Sequence, residues 1–424
     1  MDCTHCRAFI EVLNKELVPA LGCTEPIAVA YAAAKAREVL GRMPEHADIK
    51  CSGNIIKNVK GVKVPNSNGM IGIGAAAVLG IVGGRADKEL EVLTEVTEDH
   101  IAETKRLLKE GFITTSLAED VDNLYIEITV TAGEESAKVV IVNRHTLITE
   151  IEKNGEIIYS QSIEHEQDET DWKSWSIAAI VDFANYVDID VVKDTLRRQI
   201  QMNTEIAEEG LKTPYGAQIG RLLLETEGDS LRTRARARAA AGSDARMGGC
   251  ALPVVINSGS GNQGVTVSMP LVEYAKDHQI SEERLYRSLI VSNLVSVYQK
   301  HFIGSLSSFC GAVTAASGAG AGIAYMLGGS YEEICHTIIN TVANVGGIIC
   351  DGAKSSCAAK IASAVEAAIM GYEQSIRGLS FAPQEGIVMD DIEDTIRSMG
   401  YIGRVGMAAT DKTVLNIMIG KIKP

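Results

Sequence analysis

Three cysteines late in the chain, Cys310, Cys350 and Cys357, are the residues whose type most invites chemistry. The 424-residue sequence carries nine cysteines. That many in a chain that reads as cytosolic argues against a disulfide framework and for metal or redox use. Cys310 ends the run Leu306-Ser307-Ser308-Phe309-Cys310, and Cys350 and Cys357 bracket Asp351-Gly352-Ala353-Lys354-Ser355-Ser356. On a continuous helix, a spacing of seven puts two thiols on one face about 10 Å apart along the axis. That is wide for one compact cluster, but the glycines of 346–352 and Asp351 predict an irregular loop that brings the sulfurs closer. The spacing matches neither the cysteine run of ferredoxins nor a zinc CxxC pair. From pattern alone, three small core residues in a Gly/Ala-rich bundle is the competing interpretation.

Cys23 precedes a helix predicted to begin near Glu25, with Thr24 as N-cap and Pro26 tolerated in the first turn. A helix N-terminus lowers a thiol pKa and attracts anions. Cys23 is therefore a candidate base for an α-proton, with Glu25 assisting. A metal ligand and a buried thiol near the cap are the alternatives, and Glu25 alone is an ordinary first-turn acid. Residues 257–264 spell a formal G-x-G-x-x-G, but the β-branched residues after it and Pro270 predict that no helix opens there. The segment reads instead as a loop whose backbone N–H groups and Ser260, Asn262 and Gln263 bind a carboxylate, or as a plain turn. Asn54 and Lys57 lie in a second polar loop and can hold a carboxylate, although unaided they are ordinary loop residues. Arg232, Arg234, Arg236 and Arg238 would wrap around a helix and form no single binding stripe. Arg246, in Ser243-Asp244-Ala245-Arg246-Met247, has the stronger claim to a site. His301 follows Lys300 on the way to Cys310; a lone histidine is more often structural, and it is not assigned.

The elements that must position these residues are mostly helical. Aromatic content is only 5%, and Gly and Ala dominate the apolar stretches, which favours closely packed helices. Helices are predicted over 10–17 and 24–40, and from about residue 171 onward over 181–209, 215–226, 281–300, 331–345 and 358–371, with turns at 257–264, 318–322 and 346–352. Between residues 86 and 160 the pattern changes. Strands are predicted over 89–96, 124–131, 138–143, 147–153 and 157–160, with a helix over 98–110 and a turn at Asn154-Gly155. The fold class is thus mainly α with an inserted α+β domain. Residues 1–85 and 161–424 form the helical catalytic domain, and 86–160 the insertion, which carries no obvious catalytic cluster. The small-residue runs 69–84 and 311–329 read as buried helices and turns rather than membrane spans. A net charge of −15 argues against nucleic acid or anionic membrane as partner. The Met1 end, with Cys3, His5 and Cys6, lacks the basic start and apolar run of a signal peptide, so a cytoplasmic location is expected.

Taken in order, Leu21-Gly22-Cys23-Thr24-Glu25-Pro26, Ser52-Gly53-Asn54 with Lys57-Asn58, Ser243–Met247, Gly259–Gly264 and Cys350-Asp351-Gly352-Ala353-Lys354 carry a family resemblance over nearly the whole length. The chain resembles the L-cysteine desulfidase family, relatives of the alpha chain of iron–sulfur L-serine dehydratases. The resemblance implies that Cys310, Cys350 and Cys357 hold three irons of a [4Fe–4S] cluster whose fourth iron is open. The dehydratases space their later cysteine pair further apart than Cys350 and Cys357. The implied activity is a carbon–sulfur lyase that converts L-cysteine to pyruvate, sulfide and ammonia. Open iron takes the sulfur, Cys23 the α-proton, and Asn54, Lys57, Arg246, Ser260, Asn262 and Gln263 bind the small amino-acid substrate. L-Serine dehydration by the same constellation is the nearest alternative, since thiol and hydroxyl both bind iron. A non-catalytic relative with packed cysteines is a third, and a homo-oligomer is compatible with all three.

Overall fold

The computed structural model describes residues 4–161, 172–304 and 306–422; Cys3 and the stretch around residue 171 lie outside them. Within them the chain is mainly α with a smaller α+β part. It opens with α1 (Thr4–Glu16), β1 (Pro19–Leu21), α2 (Thr24–Leu40), β2 (His46–Cys51), α3 (Gly53–Val59), α4 (Gly72–Gly83) and α5 (Glu98–Lys109). The strands β3 (Ile113–Leu117), β4 (Tyr125–Ala132), β5 (Glu135–Val142), β6 (Ile148–Lys153) and β7 (Glu156–Ser160) follow. The remainder is α6 (Ile177–Tyr186), α7 (Lys193–Lys212), α8 (Ile219–Glu227), α9 (Leu231–Met247), the short β8 (Pro253–Val255), α10 (Gly261–Asp277) and α11 (Glu282–Ile303). After these come α12 (Gly311–Met326), α13 (Tyr331–Val345), α14 (Ser356–Ser375), α15 (Ile392–Tyr401) and α16 (Ala408–Met418).

The six-stranded sheet runs β3-β2-β4-β5-β6-β7, with β2 and β3 parallel and the other neighbours antiparallel. Along β4, buried and half-buried residues alternate strictly, as a strand with one face on a core requires. That face packs on α2. The sheet is not confined to 86–160, because β2 comes from His46–Cys51 and sits between β3 and β4. One apolar core runs from Phe9 through the sheet residues Ile126 and Val139 to Ile396.

Several local expectations change, and Asn54 and Lys57, expected in a polar loop, lie on the short helix α3. The strand predicted over 89–96 is a 3-10 turn at Ala86–Glu91 followed by further turns, with Glu89 at φ 45°. Its apolar residues Leu90, Val92 and Leu93 are buried without strand pairing, so the hydrophobic run misled. The single helix predicted over 181–209 breaks at Val187, and α7 starts after a 3-10 turn capped by Asp188. The turn predicted over 318–322 lies inside α12. There the glycines serve close approach, since a Cβ on Gly322 would come within 2.9 Å of the Ser288 carbonyl of α11, and one on Gly318 would collide with the Ser292 carbonyl. A side chain at Gly318 must push the two helices apart. Gly318→Val is therefore expected to cost about 1–3 kcal/mol or more, read as a lowered urea midpoint with an unchanged slope. Among the described residues no helix is long and apolar enough to cross a membrane.

Candidate active site

Four helices begin at one cavity wall, because each is preceded or opened by a residue that lines it. Cys23 is the N-cap of α2, Ser260 of α10 and Cys310 of α12, and Cys357 stands in the first turn of α14. Unpaired N–H groups and helix dipoles at these ends favour bound anions. The G-x-G-x-x-G does open a helix, contrary to expectation. Pro270 is accommodated inside α10, where the Thr266 and Ser268 hydroxyls donate back to the Asn262 and Gly264 carbonyls at 2.7 Å each. The strand before it, β8, pairs antiparallel with β1 alone. That ribbon is not the parallel sheet of a dinucleotide fold.

Buried amides fix this loop. Asn203 of α7 accepts from the Val255 N–H at 2.9 Å and donates to the Val255 carbonyl at 3.2 Å. Asn257 donates to Asn293 of α11 at 3.0 Å and accepts from Ser296. Gly259, at φ 73°, takes a left-handed conformation that costs glycine little.

Every residue singled out in the sequence lines this cavity of about 830 Å³: Cys23, Glu25, Asn54, Lys57, Arg246, Ser260, Asn262, Gln263, Cys310, Cys350 and Cys357. The loop of Cys310 pairs with that of Cys350 through an antiparallel bridge between Phe309 and Ile349. The Cys310 N–H donates to the Ile348 carbonyl at 3.0 Å and the Cys350 N–H to the Ser308 carbonyl at 2.6 Å. The two thiols thus lie side by side. Cys350 accepts from Cys310 and faces the Lys57 ammonium, which holds its pKa below the usual thiol range, while that bond and burial push Cys310 up. Cys357 accepts from the Lys354 N–H at 3.4 Å.

Among the described residues no group of three His, Cys, Asp or Glu side chains is drawn together around a single ion. In an iron–sulfur cluster each thiolate bonds a different iron, so wider spacing suits it. Three cysteines on one wall, one already acidified, with two lysines and helix N-termini around them, form a donor set that fits such a group.

In the same cavity, Glu25 is buried and its carboxylate accepts from three side chains. Cys23 donates to Oε2 at 2.9 Å, Thr24 to Oε2 at 3.2 Å and Asn58 to Oε1 at 2.9 Å. Burial works to raise the Glu25 pKa, but His145 and these donors outweigh it and hold it below the ordinary value. The Cys23 thiol moves the other way. Burial and the adjacent Glu25 charge push it well up, so the lowering expected from the helix N-terminus does not prevail. Cys23 rests as a proton donor.

Asn54 and Lys57, expected to await a substrate carboxylate, instead hold one from the chain itself. Asp411 of α16 pairs with the Lys57 ammonium and accepts from Asn54 at 3.0 Å and from the Ser308 hydroxyl at 2.8 Å. Arg246 bonds the Gly22 carbonyl and Asn262 while its buried Nε has no partner, and Gln263 lies against Gly311.

His145 went unread in the sequence. It lies on the turn between β5 and β6, in the unit expected to carry no catalytic group, and it lines the cavity. Its Nε2 is sealed from solvent and has no hydrogen-bond partner. A Cβ on Gly259 would sit 3.3 Å from its ring, so the glycine leaves it room. Burial lowers the imidazole pKa while Glu25 pulls it back up. Only the fold brings this turn to Glu25, and no motif could have signalled it.

Comparison with known proteins agrees with this geometry. A family model described as "Serine dehydratase alpha chain" matches residues 87–416. A UPF0597 protein of Lachnoclostridium phytofermentans is 53% identical over 414 residues, covering 97% of this chain and 99% of its own. UPF0597 proteins of Desulfitobacterium hafniense (51% over 420 residues, 98% and 97% covered) and Finegoldia magna (49% over 417 residues, 98% and 100%) are similar throughout. The chain belongs to the serine dehydratase alpha chain family.

Proposed function

We propose that the chain is an iron–sulfur lyase that converts L-cysteine to pyruvate, sulfide and ammonia by β-elimination. The observation that carries this reading is the cavity lined together by Cys310, Cys350, Cys357, Glu25 and His145. Bound to those three cysteines, a [4Fe–4S] cluster supplies a Lewis-acid iron that favours departure of the β-substituent. The chain's own residues supply the rest. The α-proton of an amino acid is weakly acidic and needs a base within reach. His145 is neutral at its working pH, because burial disfavours the imidazolium, and its Nε2 is free to accept. Once protonated, it is stabilised by the Glu25 carboxylate, whose charge is fixed by Cys23, Thr24 and Asn58. Cys23 then keeps Glu25 oriented and is itself a proton donor, not the resting base. The helix N-termini at the wall favour the anionic end of the substrate.

Dehydration of L-serine is the second reading, favoured by the description of the matching family model. The test is direct. Full-length protein, loaded with iron and sulfide under anaerobic conditions, is given L-cysteine and L-serine in competition while pyruvate and sulfide are both followed. Pyruvate with stoichiometric sulfide supports the cysteine reading; pyruvate without sulfide moves the assignment to serine. No pyruvate from either, with the cluster loaded, sinks the lyase reading.

A further inference from the structure

We infer that Lys300 is the receptor for the substrate carboxylate, an assignment that rests on the amino-acid lyase reading above and names the anion subsite within it. Three other cations of the cavity wall make contacts of their own. Lys57 is paired with Asp411, which also takes the Asn54 amide and the Ser308 hydroxyl. Arg246 is bonded to Gly22 and Asn262, although its buried Nε has no partner, and Lys88 pairs with Glu95 at 2.6 Å. Lys300 differs. It lies in the last turn of α11, is 7% exposed and lines the cavity, and among the described residues its ammonium has no hydrogen-bond or ion-pair partner. Buried charges are ordinarily paired, so an unpaired ammonium facing a cavity points to an anion that arrives with the ligand.

Its neighbours define what that anion must be. Cys350, Cys310, Lys57 and Asp411 are all near enough to act on its charge. An α-carboxylate held by Lys300 is therefore carried near Cys350 and Cys310, which brings the β-substituent of the same small molecule close to them. The sequence-based assignment to Asn54 and Lys57 would instead require the substrate to expel Asp411 from three donors. A competing role for Lys300 is to offset the charge of the thiolates themselves.

The experiment separates these. The loaded full-length protein and its Lys300→Met variant are assayed with L-cysteine and with L-cysteine amide, whose carboxylate is replaced by a neutral group. If Lys300 binds the carboxylate, K300M raises KM for L-cysteine about 10- to 100-fold, the effect of losing a charge-assisted hydrogen bond. KM for the amide stays within about twofold, and Lys300→Arg recovers part of the loss. An equal change for both substrates, or altered iron content and visible absorbance with KM unmoved, overturns the assignment. So does a carboxylate-selective loss in Lys57→Met but not in K300M. Lys300→Gln replaces K300M if the latter misfolds. Calorimetric titration with L-alanine and L-alanine amide, which carry no leaving group, gives a readout independent of turnover. Lys300-dependent binding of L-alanine without any turnover would leave the carboxylate site standing and remove the lyase. Turnover with binding and KM both indifferent to Lys300 would do the reverse.

Discussion

His145→Gln is expected to lower kcat for the amino-acid substrate about 10²- to 10⁴-fold, the range for loss of a general base, with KM and iron content little changed. The expectation rests on His145, which lines the cavity with an Nε2 shut off from solvent and free to accept a proton. Glutamine keeps the polar character of the site but cannot take a proton. The sign of the pH dependence follows from the direction of the shift. Burial holds the imidazole pKa below its usual value near 6.5, so the base is present at neutral pH and is lost as the pH falls through that lowered pKa. Wild-type kcat/KM should therefore fall on the acid side, with a midpoint under 6.5, and the small residual rate of His145→Gln should lack that limb. Cys23→Ser is the comparison. If the thiol orients Glu25 and stays protonated, serine substitutes as a donor and the rate drops by about tenfold or less, as for one orienting hydrogen bond. A silent His145→Gln beside an inactive Cys23→Ser would return the base to Cys23.

The contrast between these two residues also marks how far the sequence reaches. Cys23, Glu25 and the cysteine trio were legible because each sits next to a helix start or a glycine-rich turn, and local chemistry signals both. What the local signal missed was direction. The dipole argument for Cys23 omitted burial and a carboxylate two residues away, and these decide the sign of its shift. His145 and Asp411 illustrate the other gap. Each is separated from its partner by more than a hundred residues, so only the register of β5 with β6 and the docking of α16 on α3 create their roles. The same holds for the architecture. Helix periodicity was readable along most of the chain, and the strand over 124–131 alternates clearly. The strand His46–Cys51 enters the sheet from elsewhere in the chain and was passed over. The boundary drawn at residue 86 then hid the fact that the α+β unit helps to form the cavity, through His145 above all.

Cys310→Ala is expected to remove the cluster and with it all measurable turnover, while leaving the fold in place. The iron is held by thiolate bonds, and alanine offers none, so iron, acid-labile sulfide and the visible absorbance should be lost together after anaerobic reconstitution. The scaffold does not need the thiol. The Cys310 and Cys350 loops are joined through their backbones, by the Cys310 N–H to Ile348 and the Cys350 N–H to Ser308, and alanine keeps those bonds. Lys360 secures the same segment by donating to the Ile349 carbonyl at 2.8 Å and pairing with Asp351. Removing Cys310 also removes the donor that lowers the Cys350 pKa, and leaves Cys350 without iron. What remains beside Lys57 is then an ordinary reactive cysteine, which a thiol-specific reagent should label faster in the variant than in loaded wild type. Circular dichroism and an unfolding midpoint within about 2 kcal/mol of wild type would separate loss of the cluster from loss of structure. Cys357→Ala extends the test to the third cysteine, the one that takes no part in the Cys310–Cys350 pairing. If it loses iron as completely as Cys310→Ala, all three thiols are ligands; if it keeps full iron and activity, Cys357 is only packed against the wall and the third ligand must be sought elsewhere, with Cys23 the first to examine.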